Sequence, residues 1–195
     1  MDELNSTDMK IITATFDLLQ KEGLTKTTTK KIAAEAGVNE VTIFRNFKNK
    51  QNLVNITKEY YLDKCLKTVQ YIFKYEEDEE IDEYLRNSFL KLSNLSENDY
   101  NIIKVGLREI GNLTEKKQML SKITSEIIKQ MDEYFKIQIE KGKIRSVDSK
   151  ALTIMCFSTL FQSYMLGQLY TPNTNNINTK YGENFLDILY NGISV

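Results

Sequence analysis

Apolar residues recur along this chain at spacings of three and four, with no competing alternating pattern, which predicts helices rather than strands. Ile11, Ile12, Phe16 and Leu19 fall near one face of a helix over 8–22, flanked by Thr15 and Leu18. Asp8 lies close to its start, and Gly23 follows its last apolar position, where a helix end favours glycine. Thr27, Thr28 and Thr29 offer caps for a second helix over 28–35, with Ile32, Ala33 and Ala36 as its buried side. Gly37 suits a sharp turn, because only glycine takes positive φ without penalty. Val38 can plug the corner, and Asn39 can cap a third helix over 40–46. Ile43 and Phe47, four apart, face inward; Glu40, Val41, Thr42, Phe44, Arg45 and Asn46 are left on or near the outer side. Helix, tight glycine turn and short polar-faced helix together read as a helix-turn-helix.

Lys50 begins a longer helix reaching to about Tyr75. At 1.5 Å per residue it would span roughly 35 Å, enough to link two domains. Glu76 to Glu80, EEDEE, reads as a solvated break or an acidic helix start. Further helices are expected over 81–94, 98–112, 115–141, 148–169 and 180–193, with polar or glycine-containing separators between them. The pattern predicts an all-α chain of about nine helices: a helix-turn-helix domain over 1–50 and a helical domain over 51–195.

Composition narrows the chemistry. A length of 195 residues with one proline and eight glycines allows a sizeable helical core. There is no histidine, so a histidine base, a Ser-His or Cys-His nucleophile and the commonest metal ligand are all excluded. No glycine-rich phosphate loop or metal-spaced cluster is present, so no catalytic residue, metal site or cofactor is expected. Cys65 and Cys156 sit in apolar helical surroundings and read as buried free thiols of a reducing cytoplasm, a disulfide being the alternative. The N-terminus MDELNSTDMK lacks the layout of a signal peptide, and no run is long and apolar enough to cross a bilayer; a cytoplasmic protein is expected.

The net charge of −1 conceals an asymmetry. From Leu24 to Lys58 seven basic residues face two acidic ones, a local net of +5. From Glu59 to Tyr100 five basic residues face eleven acidic ones, a local net of −6. The basic block coincides with the helix-turn-helix, the footprint expected where a phosphate backbone docks.

The run from Ile11 to Leu53, with Ala14, Gly23, Thr27, Ile32-Ala33, Ala36-Gly37-Val38, Thr42-Ile43-Phe44, Phe47, Lys50 and Leu53, resembles the DNA-binding domain of TetR-family transcriptional regulators. The later helices match that family only in number, length and order. The resemblance implies an all-helical homodimer with an N-terminal DNA reader and a C-terminal effector domain. It further implies repression of genes, with a small molecule releasing a palindromic double-stranded operator.

Each DNA-facing candidate has its own physical case. Thr27, Thr28 and Thr29 stand at a helix N-terminus, where hydroxyls and unpaired N–H groups bind phosphate or simply cap. Lys50 resembles the family's phosphate-contacting lysine, with Lys48 beside it. Arg45 could pair with guanine O6 and N7 or clamp a phosphate; Thr42 could meet a base, a phosphate or a thymine methyl. Asn39 is chiefly a cap that could also touch DNA, and Val41 shares the outer side. Phe44 replaces the family's frequent tyrosine, so a phenol-to-phosphate bond is lost. Asn46 replaces a frequent histidine. Glu40, where a basic or small residue is common, would be repelled by phosphate unless it accepts from a cytosine amino group.

In the second half the candidate effector-lining residues are Phe89, Tyr100, Ile103, Met131, Tyr134, Phe135, Phe157 and Phe161, which are equally readable as ordinary core. Their tyrosine and methionine content would suit an apolar or aromatic ligand. Ser149 to Tyr170 is apolar on more than one face and so needs cover on both sides. With Phe185, Ile188 and Leu189 it could form a four-helix interface with a twin subunit through the last two helices. The competing function is a helical interaction protein of the same fold that no longer reads a specific DNA sequence. An enzyme is the weakest reading.

Overall fold

The computed structural model describes residues 4–108, 119–170 and 184–189, with the backbone alone at 103–108, 119 and 165–170. The described residues form helices with no strand among them: α1 (Ser6–Lys26), α2 (Thr29–Ala36), α3 (Glu40–Phe47), α4 (Lys50–Ile72), α5 (Ile81–Ser93), α6 (Glu97–Arg108), α7 (Met119–Glu140), α8 (Ser149–Tyr170) and α9 (184–189). The chain forms two compact units, residues 1–67 with 97–123, and residues 68–96 with 124–195.

α1 starts two residues earlier than the apolar pattern alone predicts, because a capping box forms ahead of it. The Asn5 side chain accepts from the N–H groups of Thr7 and Asp8, and the Asp8 carboxylate accepts from the Asn5 N–H. Ile11, Ile12, Ala14, Phe16 and Leu19 are buried. Thr15, expected at the flank, is also buried; its hydroxyl is satisfied by donating to the Ile11 carbonyl at 2.7 Å. Gly23 breaks the helix with φ 77° and ψ 173°.

The core of the first unit is Ile11, Ile12, Ala14, Ile32, Ala33, Ile43, Phe47 and Leu53, with Val38, Ile56, Tyr60 and Tyr61 among its half-buried border. α1 packs on α2 and α6, and α2 on α3. Phe16 stacks on Tyr61 with ring centroids 3.7 Å apart. Each large side chain removed from water here contributes about 1.5–3 kcal/mol, which fixes short α2 and α3 although neither would be stable alone.

In the second unit Tyr75, Tyr84, Tyr134 and Phe135 form an aromatic cluster, the Tyr84 and Tyr134 centroids being 3.9 Å apart. α4 ends at Ile72, short of the expected Tyr75, and the chain turns so that Phe73 is buried and Tyr75 joins the cluster. Burial raises the Tyr84 phenol well above its usual range. The acidic run is more than a solvated break. Its backbone is held from α7 and the residues beyond it: Tyr134 Oη donates to the Glu79 carbonyl at 2.9 Å, and Gln138 Nε2 and Lys141 Nζ to the Glu77 carbonyl at 3.1 and 2.8 Å. Lys141 and Lys143 also meet Asp78 and Glu80 at 2.9 and 2.7 Å. Asp132 is buried between Lys136 Nζ and Ser149 Oγ, both at 2.6 Å. Burial alone would raise its carboxyl, but those two donors outweigh it and hold the group below its ordinary value.

Both cysteines are buried free thiols, each pushed up to about 12 by burial, with the Asp99 carboxylate adding to the effect at Cys65. Among the described residues no helix is long and apolar enough to cross a membrane, and no group of three or more His, Cys, Asp or Glu is placed to hold a metal ion.

Candidate nucleic-acid interface

Three local devices build the reader. Thr28 caps α2, its Oγ1 accepting from the Lys31 N–H at 3.3 Å. Gly37 ends α2 in the left-handed region, with φ 65° and ψ 35°. The N–H of Gly37 donates to Ala34 and that of Val38 to Ala33, the paired bonds of a Schellman stop. Asn39 then caps α3, its Oδ1 accepting from the Val41 N–H at 2.9 Å. Two helices therefore meet across three residues, with Val38 half-buried in the corner.

α3 divides cleanly. Ile43 and Phe47 are buried. Val41 and Phe44 are 70% and 47% exposed. Arg45 and Asn46 are exposed, and Glu40 and Thr42 are half-exposed. Arg45 Nε donates to Asn46 Oδ1 at 3.2 Å, and Asn46 Nδ2 donates to Asp8 Oδ1 at 2.8 Å.

Lys48 follows with φ 67° and ψ −52°, the one positive-φ non-glycine residue among those described. Its own N–H donates to the Phe44 carbonyl at 2.9 Å, and the Asn49 N–H closes back on the Phe47 carbonyl at 2.8 Å. This is a γ-turn of the strained, positive-φ kind. It lets Asn49 cap α4 at once, with Oδ1 accepting from the Asn52 N–H at 2.8 Å. Lys50 Nζ donates to the Leu24 carbonyl at 3.0 Å and Lys31 Nζ to the Lys26 carbonyl at 3.1 Å, tying both lysines to the turn between α1 and α2. Lys31 also pairs with Glu22 at 2.8 Å.

Of the residues singled out in the sequence, Thr28 and Thr29 begin α2, Asn39 caps α3, Glu40, Val41, Thr42, Phe44, Arg45 and Asn46 lie on α3, Lys48 is the centre of the following turn and Lys50 begins α4; all are at least partly exposed. Thr27 is different. It is fully buried, and its hydroxyl donates to the Gly23 carbonyl at 2.8 Å, so it shapes the turn before α2 instead of presenting a hydroxyl at the surface. Asp8 was not legible as part of this face, because its partner Asn46 lies 38 residues away.

Residues 11–55 match the family model described as bacterial regulatory proteins, tetR family. Over 142 residues the chain is 35% identical to the uncharacterised HTH-type transcriptional regulator YvkB of Bacillus subtilis (strain 168), covering 69% of this chain and 72% of that protein. The chain belongs to the TetR family.

Solved structures agree on the fold along nearly the whole length. GusR of Salmonella enterica superposes with a TM-score of 0.70 at 18% identity, covering 94% of this chain and 95% of that one. FadR of Bacillus subtilis, in complex with stearoyl-CoA, gives 0.61 at 18% identity, covering 95% and 99%. The protein is thus a DNA-binding transcriptional regulator of the TetR family and acts by binding, not catalysis.

The effector candidates of this TetR-family chain belong to both units. Phe89, Met131, Tyr134 and Phe135 are buried in the second unit, where Tyr134 and Phe135 belong to the aromatic cluster. Phe157 and Phe161 are half-buried neighbours on α8, with centroids 5.6 Å apart. Tyr100 belongs to the first unit, and the side chain of Ile103 lies outside those described. α8 keeps Ile154 and Met155 at its surface, 52% and 64% exposed, and α9 keeps Ile188 exposed.

Proposed function

We infer that this chain is a homodimeric repressor released from a palindromic operator by a small apolar or aromatic effector. Residues 1–50 are the reading domain and 51–195 the effector and dimerisation domain. The observation that carries the reading is the outer face of α3, where Val41, Phe44 and Arg45 stand exposed, with Lys48 and Lys50 following directly after the helix. In the major groove the apolar pair would meet thymine methyls or sugar, Arg45 a guanine edge, and Lys48, Lys50 and the start of α2 the flanking phosphates. One such unit makes few base contacts, so two copies are needed for an operator. The exposed Ile154 and Met155 of α8 and Ile188 of α9 supply an apolar face for that pairing. Tyrosines, phenylalanines and Met131 support an apolar or aromatic effector. The same fold in FadR of Bacillus subtilis accommodates stearoyl-CoA, which adds weight to a hydrophobic ligand.

Selection of bound sequences from a random DNA pool, at near-physiological salt, tests the reading. Recovery of a palindrome with two half-sites by a dimeric species supports it. Recovery of no preferred sequence by folded dimer refutes it and favours the interaction protein.

A further inference from the structure

Arg45 is not an isolated side chain. Its Nε donates to Asn46 Oδ1 at 3.2 Å, and Asn46 Nδ2 donates to Asp8 Oδ1 at 2.8 Å. The other carboxylate oxygen, Asp8 Oδ2, accepts from the Asn5 N–H at 3.3 Å. A cation, an amide and an anion therefore run in one line from α3 to the N-terminal cap of α1. The polarity is fixed by chemistry: the carboxylate only accepts, so the amide nitrogen of Asn46 must face Asp8 and its oxygen must face Arg45. Charge at both ends polarises the amide and strengthens each bond.

The order of the groups matters. Nε is the nitrogen engaged by Asn46, so the two terminal amino groups of Arg45 remain for the O6 and N7 of a guanine. An arginine held at Nε loses less rotamer freedom on meeting a base than one that swings in water. Asp8 is itself oriented by the capping box, which gives the line a fixed origin on a different helix.

We propose that Asp8 and Asn46 are positioning residues that hold Arg45 in its base-reading geometry, so that the N-terminal cap of α1 sets operator discrimination from outside the recognition helix. The inference rests on the reading of Arg45 as a base-contacting residue.

The test uses full-length dimer and the palindrome recovered from the random pool, with a second duplex altered at the one base pair whose preference Arg45→Ala relaxes. The readout is the ratio of the two affinities. Asn46→Ala should lower that ratio roughly three- to tenfold, the range set by immobilising one long side chain, while leaving the salt slope at its wild-type value. Asn46→Asp should lower it too, by setting a carboxylate against Asp8. The exchange Asp8→Asn with Asn46→Asp keeps the net charge, keeps an acceptor for the Asn5 N–H and reverses the donor, so it should restore the ratio. A structural effect on α3 would not be rescued by that exchange. Wild-type discrimination in Asn46→Ala, or no recovery in the exchanged pair, overturns the proposal while leaving the repressor reading intact. A palindrome whose preference Arg45→Ala does not change at any position overturns the proposal at its base, and an empty selection overturns the repressor reading with it.

Discussion

The γ-turn at Lys48 separates backbone strain from charge in one position. An L-residue held at φ 67° costs about 1–2 kcal/mol relative to its relaxed conformations. Lys48→Ala removes the ammonium and keeps that strain, because alanine also has a Cβ. Lys48→Gly removes both. Glycine returns about 0.4–1 kcal/mol of the relief through its freer unfolded chain. The glycine variant should therefore be more stable than the alanine variant by roughly 0.5–1 kcal/mol, or about 1–4 °C in melting temperature for a chain of this size. Urea denaturation of both variants at one protein concentration measures the difference. On DNA the two should be equal: a dimer of either variant loses two phosphate contacts, one per half-site, and so about 1.8 from the salt slope. The lysine is then strained in the fold for the sake of its charge. Coincident unfolding midpoints, or a more stable alanine variant, would refute the strain. Wild-type salt slopes in both variants would remove Lys48 from the phosphate backbone.

Three further outcomes follow from the same geometry. Lys50→Ala should weaken binding to every duplex and flatten the salt slope by about one unit per protomer, about two for the dimer, and it should also loosen the α1–α2 turn by freeing the Leu24 carbonyl; salt titrations and hydrogen exchange at the turn measure the two effects. Phe47→Ala empties a buried position and should cost roughly 3–5 kcal/mol in denaturant unfolding. For Asp132, whose carboxyl is held below its ordinary value, the stabilisation is complete above the unfolded pKa of about 3.9 and is lost as pH falls through the lower folded value. Asp132→Asn should accordingly be less stable by about 1–2 kcal/mol at neutral pH, with the gap closing in acid; an equal deficit at every pH would show that the charge is not what stabilises.

The sequence by itself determined the reader, because its determinants are local. Apolar residues three and four apart placed Ile11, Ile12, Ile32, Ala33, Ile43 and Phe47 on inward faces, and all are buried in one core. Glycine at 37 and asparagine at 39 specified a stop and a start through backbone preferences that act within a few residues, and the stop and the cap both form. Tertiary structure decided what depends on partners far along the chain. Thr27 looked like an exposed cap until the turn at Gly23 buried it. Asn46 read only as the replacement of a frequent histidine until the fold brought Asp8 within 2.8 Å. The acidic run at 76–80 looked free until Tyr134, Gln138, Lys141 and Lys143 held it. Large apolar side chains carry the same helical spacing whether they fill a core, line a cavity or meet a twin subunit. Periodicity therefore reports that such a residue leaves water, and only the packing of distant segments determines what it leaves water for.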